Sequence, residues 1–290
     1  MPRISVAIVN WNTRDYLRTC LRSLEETAPE ECEITVVDNA SADGSAEMVA
    51  GEFPRVRLIW NDDNLGYAAA NNQAIRASDS EYIMLLNPDA WPMKGCLEAL
   101  ADFLDANPRA AAAAPRLLNP DGSLQQSVRS FPTPLALLFD AVGLARIFPG
   151  SRFFAAYRMT WWDHSEVREI DQPMASALML RPRALDEVGL FDEQFPLYFN
   201  DVDLCLRLKR AAWKIFYLPG AVCVHHLAAS TGQIRCAAMA ESHSSLLRFY
   251  YKHYRTLPLP IYALLMLFIA VSGRIRVTWC RLREKTADRN

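Results

Sequence analysis

At 290 residues and 51% hydrophobic, the chain can bury a full core, which excludes a disordered protein except at the ends. Thirty-one basic and 33 acidic residues leave a formal net charge of -2, which excludes a long-range field that would gather nucleic acid, so partners must be recognised locally. Seven cysteines (Cys20, Cys32, Cys96, Cys205, Cys223, Cys236 and Cys280) stand singly, without zinc-site spacing or a disulfide framework, and read as core thiols of a reducing compartment.

The N-terminus, Met1-Pro2-Arg3-Ile4, enters a strand-like run without the apolar core of a signal peptide, so the part that does chemistry is expected in the cytoplasm. Ile4 to Val9 is a short apolar run, and Ile34 to Val37, Val56 to Trp60 and Tyr82 to Leu86 repeat it at intervals that leave room for helices. This is the rhythm of a parallel sheet. Leu17, Cys20, Leu21 and Leu24 fall at i, i+3, i+4 and i+7, which predicts a helix packed on the sheet with Asn12 or Thr13 as its cap. Leu97, Leu100, Ala101 and Leu104 predict another, ending at Asn107 before Pro108. Residues 1–110 are therefore expected to be a doubly wound α/β unit, whose ligands bind beyond the carboxyl ends of the strands. Those ends carry Asn10-Trp11-Asn12, Asp38-Asn39-Ala40-Ser41 and Asn87-Pro88-Asp89.

After Pro115 come turn and loop signals, Asn119-Pro120-Asp121-Gly122 and Ser130-Phe131-Pro132-Thr133-Pro134. Leu135 to Phe148 is then strongly apolar, with only Asp140 and Arg146 charged, and Phe153, Phe154, Tyr157, Trp161 and Trp162 follow. It reads either as a core helix or as an interfacial one, because apolar side chains with Trp and Tyr nearby suit the headgroup boundary. Leu257 to Gly273 carries no charge and would reach roughly 25 Å as a helix, short of the roughly 30 Å hydrocarbon core. Arg248, Lys252 and Arg255 precede it, while Arg274, Arg276, Arg281, Arg283, Lys285 and Arg289 follow, so a span would place a basic tail outside, against the positive-inside tendency. The expectation is a helix lying in the membrane face, with packing against a second copy in an oligomer as the alternative.

Singly, an Asp or Asn at a strand end is explained by a cap or a turn. As an ordered set, Val9-Asn10-Trp11-Asn12, Val36-Val37-Asp38-Asn39-Ala40-Ser41, Asn64-Leu65-Gly66-Tyr67-Ala68-Ala69-Ala70-Asn71-Asn72 and Leu85-Leu86-Asn87-Pro88-Asp89-Ala90 resemble family 2 glycosyltransferases, above all their rhamnosyltransferase-like branch. Val188-Gly189-Leu190-Phe191-Asp192-Glu193, Tyr198-Phe199-Asn200-Asp201-Val202-Asp203-Leu204-Cys205-Leu206-Arg207 and Ala221-Val222-Cys223-Val224-His225-His226 continue the resemblance, which covers residues 4–232. It implies an α/β fold of the A type, with a doubly wound, mostly parallel sheet, a divalent cation (Mg²⁺ or Mn²⁺) and transfer with inversion from a nucleotide diphosphate sugar. Residues 1–110 would form the nucleotide-sugar half, 111–245 the acceptor-binding and catalytic half of the same domain, and 246–290 a membrane-associated helical tail.

Residue by residue, Asp38 matches the carboxylate that contacts the donor's base or ribose, and Asn64, Gly66 and Asn71 match the segment lining the nucleotide pocket, with Asn10, Asn12 and Asn87 completing the donor set. Asn87-Pro88-Asp89 stands at the family's Asp-x-Asp motif with an amide for the first carboxylate, leaving Asp89 as metal ligand. His225 matches a second ligand; adjacent strand residues face opposite sides, so only one of His225 and His226 can serve. Asp201 matches the general base. Its place at a helix start should keep it ionised, and Asn200 in place of the usual acidic neighbour should lower its pKa. Asp203 is expected to stabilise the helix N-terminus. The family's Gly-Ala before Met-Leu-Arg is replaced by Ala175-Ser176-Ala177-Leu178-Met179-Leu180-Arg181.

The resemblance implies an inverting, metal-dependent hexosyltransferase of cell-surface glycan synthesis. It would carry rhamnose from dTDP-rhamnose to a lipid-linked or polysaccharide acceptor, polyprenyl-linked at the cytoplasmic face of the cell membrane, with the enzyme peripheral or monotopic there. A different sugar such as galactofuranose is one alternative. A catalytically weak, membrane-bound nucleotide-sugar-binding protein is another, favoured only by the amides at Asn87 and Asn200. A nucleotidyltransferase or a dinucleotide dehydrogenase is excluded because no glycine-rich loop follows the first strand.

Overall fold

The computed structural model describes residues 2–226 and 231–287. The apolar runs and stripes of the first third become β1 (Ile4–Asn10), α1 (Arg14–Thr27), β2 (Glu33–Asn39), α2 (Ser45–Glu52), β3 (Arg57–Asn61), α3 (Tyr67–Arg76), β4 (Tyr82–Leu86), β5 (Ala90–Pro92) and α4 (Cys96–Ala106). There follow β6 (Ala110–Leu118), β7 (Val128–Arg129), α5 (Pro134–Ala141), α6 (Leu144–Ile147), β8 (Arg168–Glu169), β9 (Gln172–Pro173), β10 (Ala177–Leu180), α7 (Pro182–Val188), α8 (Asn200–Arg210), β11 (Lys214–His225), α9 (Arg235–His253) and α10 (Leu259–Ala287).

One nine-stranded sheet runs in the order β3-β2-β1-β4-β10-β6-β11-β5, with β8 on β11. The first four strands are parallel, β10 is antiparallel to both β4 and β6, and β6 and β11 are again parallel. Successive residues of a strand face opposite sides. Val6 and Ile8 therefore enter one core with Leu17, Leu21, Met48, Leu97 and Leu100, and Ala7 and Val9 enter the other with Ala68, Ala74, Leu185, Leu204 and Leu208. This is the expected α/β architecture. It leaves the carboxyl ends of β1, β2 and β4 open for a site.

Several expectations need correction. Thr13 does occupy the N-cap of α1, but its hydroxyl donates to Asn10 Oδ1 and the Arg14 N–H donates to Asp43 Oδ2 at 2.8 Å, so the cap comes from the loop after β2. Leu135 to Phe148 is no core helix: it divides at Gly143 (φ +81°), and only Ala136 and Ala145 of α5 and α6 are buried while Leu135, Leu138, Val142, Ile147 and Phe148 are exposed. The C-terminal apolar stretch does not stop at Gly273, because arginine propagates a helix well; α10 has 29 residues and takes in Arg274, Arg276, Arg281 and Arg283. Leu259–Glu284 is long and apolar enough to cross a membrane, yet the stretch before Arg274 measures only roughly 22 Å. Arg289 lies outside the described residues.

The cysteines also depart from expectation. Cys20, Cys96, Cys205 and Cys223 are buried thiols, whereas Cys236 and Cys280 form a disulfide that ties α9 to α10. The same pair of helices meets at Gly273, where a Cβ would lie 2.8 Å from the His243 ring. Nothing local marks two cysteines 44 residues apart as neighbours; only the antiparallel packing of the two helices does.

Asp203 does more than face a helix end. Fully buried, it accepts from Arg207 Nε at 2.8 Å, from His253 Nε2 at 2.7 Å and from Lys252 Nζ at 2.6 Å, so it anchors α9 to α8. Burial alone would raise its pKa, but these three donors outweigh burial and hold it at about 2. A carboxyl depressed in the folded state stabilises above its unfolded pKa and loses that contribution as pH falls through its folded one. We predict a loss of about 2 kcal/mol between pH 4 and 2 in urea unfolding, absent in Asp203→Ala, which itself is destabilised at pH 7 by about 3 kcal/mol.

Candidate active site

At the ends of β1 and β2 the polar side chains bond to one another. Asn10 and Asp38 are fully buried; Asn10 Nδ2 donates to Asp38 Oδ2 at 2.9 Å and to Ser41 Oγ at 3.1 Å, and Asp38 Oδ1 accepts the Ser41 N–H at 2.8 Å. Asn12, at φ +51°, accepts the Ala42 N–H at 2.7 Å, and its carbonyl receives Gln233 Nε2 at 2.8 Å. These residues shape the two loops rather than presenting bare polar groups to a cleft. Next to them Asn39 organises the turn before α3: its Nδ2 donates to Asn64 Oδ1 at 3.0 Å and to the Gly66 carbonyl at 3.2 Å. Asn64 is exposed and also accepts the Gly66 N–H, and Asn71 is buried with Nδ2 donating back to the Tyr67 carbonyl.

Gly66, at φ +83°, lies against the loop before α8. A Cβ there would stand 2.8 Å from the Pro196 carbonyl oxygen, to which the Tyr67 N–H donates at 2.6 Å. Closer to the middle of the sheet, Asn87 donates its N–H to the Ser176 carbonyl at 2.9 Å, and the half-buried Asn87 amide makes no hydrogen bond among the described residues. Two residues on, Asp89 is buried with Oδ1 3.4 Å from His225 Nε2, and its carbonyl accepts the His226 N–H. The His226 ring turns the other way, onto Trp91 and Tyr16.

Gln125 fixes the tautomer of His225. Its Nε2 donates to the His225 carbonyl at 3.1 Å and to Asn119 Oδ1 at 2.9 Å, so its Oε1 is the atom 2.7 Å from His225 Nδ1. An amide oxygen only accepts, so Nδ1 carries a proton, and in the neutral ring Nε2 keeps its lone pair. That Nε2 is buried and makes no hydrogen bond among the described residues. A buried imidazole lone pair beside a carboxylate suits a cation, and the second partner that holds the ring is the usual companion of a histidine ligand. Nothing local marks Gln125, since 100 residues separate it from His225.

Asp201 is the second residue of α8. Its Oδ1 accepts the Val202 N–H at 2.8 Å and its Oδ2 the Ala175 N–H at 3.3 Å. Its pKa lies above the usual carboxylate range, chiefly because it is desolvated, with those N–H donors pulling it back only in part. This reverses the lowering expected from Asn200, which is buried with Nδ2 on the Phe195 carbonyl at 3.2 Å. Tyr67, also missed, donates to the Ala175 carbonyl at 2.9 Å; burial, then the charge of Asp201, then that of Asp89 push its phenol up. Tyr67 therefore sits in the field of both carboxylates. Ser176, where the family's glycine was expected, has a buried hydroxyl with no hydrogen bond among the described residues.

The sequence profile of glycosyl transferase family 2 matches residues 5–164. N-acetylglucosaminyl-diphospho-decaprenol L-rhamnosyltransferase of Mycobacterium tuberculosis is 33% identical over 253 residues, 83% of this chain and 82% of that protein. A mannosyltransferase from Pyrobaculum calidifontis, solved with GDP-Man and Mn²⁺, superposes with a TM-score of 0.58 at 18% identity, over 99% of this chain and 80% of that one. GalNAc-T7, solved with UDP, GalNAc and Mn²⁺, gives a TM-score of 0.57 at 13% identity over 78% of this chain and 44% of that one. At these identities the two structures speak for the fold alone, which is the A-type glycosyltransferase fold.

We predict that Gly66→Ala, which combines a positive φ with the Pro196 contact, costs about 1–3 kcal/mol of stability in urea unfolding. Asn64→Ala, on the same turn but exposed, should cost less.

Proposed function

The chain belongs to glycosyl transferase family 2, and on that premise we propose that it moves L-rhamnose from dTDP-rhamnose, with inversion, to a sugar carried on a polyprenyl diphosphate in cell-wall glycan synthesis. The likeness to the mycobacterial rhamnosyltransferase, 33% identical across most of both chains, carries this reading. Asp201 is the base: it accepts the proton of the acceptor hydroxyl as that oxygen attacks the anomeric carbon from the face opposite the leaving diphosphate. One displacement breaks the bond to the diphosphate, and no covalent sugar–enzyme intermediate forms. Its raised pKa makes Asp201 a stronger base than an exposed aspartate. Asp89 and His225 would hold a divalent cation, Mg²⁺ or Mn²⁺, which offsets the charge that develops on the departing nucleoside diphosphate. Asn10, Asn12, Asp38, Asn39 and Asn64 hold the loops that receive the nucleotide, and Asn87 offers its amide to the donor.

The membrane reading belongs to the same proposal. Exposed Leu259, Leu264, Leu267 and Val271 on α10, with Trp279 and Leu282 further along among arginines, make a helix suited to the headgroup boundary. We place the enzyme on the cytoplasmic leaflet. There the Cys236–Cys280 pair would be the dithiol, and α9 and α10 would stay together through the contact of Gly273 with His243.

Asp201→Asn should lower turnover by roughly a hundred- to ten-thousand-fold with little change in donor affinity. Because the base must be ionised and its pKa is raised, turnover of the wild type should fall on acidification at a pH above the ordinary carboxylate range, and Asp201→Asn should lack that limb. Near-normal turnover in Asp201→Asn would end the assignment. Asp89→Ala should abolish transfer, chelator should do the same to the wild type, and Gln125→Leu should weaken activation by Mn²⁺ about ten- to a hundredfold through the freed His225 ring.

A further inference from the structure

Arg129 occupies an unusual position for a cation. It lies on β7, opposite Gln172 of β9, and Met174, two residues on, donates its N–H to the Ser127 carbonyl at 2.8 Å. The next residue, Ala175, donates to Asp201, so β7 is two short steps from the base. Arg129 is half-buried and forms no ion pair among the described residues. Its polar contacts are confined to Nη1, which reaches the Gln126 carbonyl at 3.3 Å and the Val128 carbonyl at 3.2 Å, leaving Nε and Nη2 without a protein acceptor among the described residues. Withdrawing a guanidinium from water without a carboxylate is costly, and here burial is the main influence on it, lowering its pKa. Its neighbour Arg158 has no such deficit, because it makes a two-pronged pair with Asp140 of α5.

Tyr157 adjoins Arg129: its carbonyl accepts the Ser130 N–H at 3.1 Å, and its phenol lies in the field of Arg129, Asp140 and Asp201. Asp140, paired with Arg158, belongs to α5, and α5 and α6 expose Leu135, Leu138, Val142, Ile147 and Phe148. A base, an open guanidinium fork and an apolar face thus share one neighbourhood. An acceptor built as sugar, diphosphate and prenyl chain offers a matching part to each, and a planar guanidinium fork matches phosphate oxygens in a way that a lysine does not.

We propose that Arg129 is the subsite for the diphosphate of a prenyl-diphosphate-linked acceptor, with the prenyl chain leaving over α5 and α6. This rests on the lipid-linked acceptor proposed above. Arg129 binds and positions the acceptor, and it takes no part in the proton transfer at Asp201.

The test uses the full chain in detergent with dTDP and Mn²⁺ present, and compares equilibrium binding of farnesyl diphosphate with that of farnesol. The wild type should prefer the diphosphate by about tenfold or more, the size expected of a charge-assisted pair. Arg129→Met should remove the preference and Arg129→Lys should keep part of it, while dTDP affinity and the thermal midpoint of both variants match the wild type. A preference that survives in Arg129→Met, or is absent from the wild type, overturns the inference. So does a loss of dTDP affinity in Arg129→Met, which would put Arg129 on the donor side. If instead the preference depends on Arg129 but the wild type moves no rhamnose from dTDP-rhamnose to the lipid acceptor, the subsite stands and the donor reading fails.

Discussion

Residues 174–176 lead into β10 as a short piece of backbone whose polar groups reach Asn87, Asp201, Tyr67 and β7. The Ser176 carbonyl takes the Asn87 N–H, the Ala175 N–H reaches Asp201, the Ala175 carbonyl takes the Tyr67 hydroxyl, and the Met174 N–H ties β7 alongside. The peptide unit is planar and stiff, so these bonds tie the strand end before Asp89 and the start of α8 to one short run of backbone. The arrangement depends on β10 running antiparallel between β4 and β6, which inserts a strand from late in the chain beside the fourth strand. Ala175 and Ser176, both small, are buried.

Two aspartates two residues apart on α8 show how environment divides labour on one helix. Asp203 faces Arg207, Lys252 and His253 and is held at about 2. Asp201 faces the site, finds only backbone N–H groups, and is pushed up by loss of water. Carboxylates whose surroundings drive their pKa values apart commonly have different duties. Here one fastens the C-terminal helices to the sheet domain, and the other is the group proposed to take a proton. The fastening is two residues along α8 from the proposed base, so the tail that carries α10 and the base share a support.

What could be read in advance follows from how far each signal travels along the chain. The apolar alternation of Ile4 to Leu86 and the stripes of α1 and α4 are local, and they appear where expected to within a few residues. Asp38, Asp89, Asp201 and His225 stand out as candidates because each belongs to a contiguous motif block that resembles the family's. Gln125 does not, because His225, the ring it holds, is 100 residues away and it breaks no pattern. The direction of the Asp201 pKa does not follow from its neighbour in sequence, since desolvation in the folded chain decides it. The Cys236–Cys280 bond and the length of α10 escaped for related reasons: helix packing brings the one together, and arginines do not end the other.

The pairing of Asp89 with His225 Nε2 joins the fold to the proposed chemistry, because Gln125 holds Nδ1–H and so makes Nε2 the ligand atom of the neutral ring. Anomalous scattering from Mn²⁺ in crystals of the full chain grown with dTDP tests it most directly. The expected result is a single strong peak within ligand distance of Asp89 Oδ1 and His225 Nε2, lost in His225→Ala. A peak held by other residues, or one that persists unmoved in His225→Ala, would contradict it.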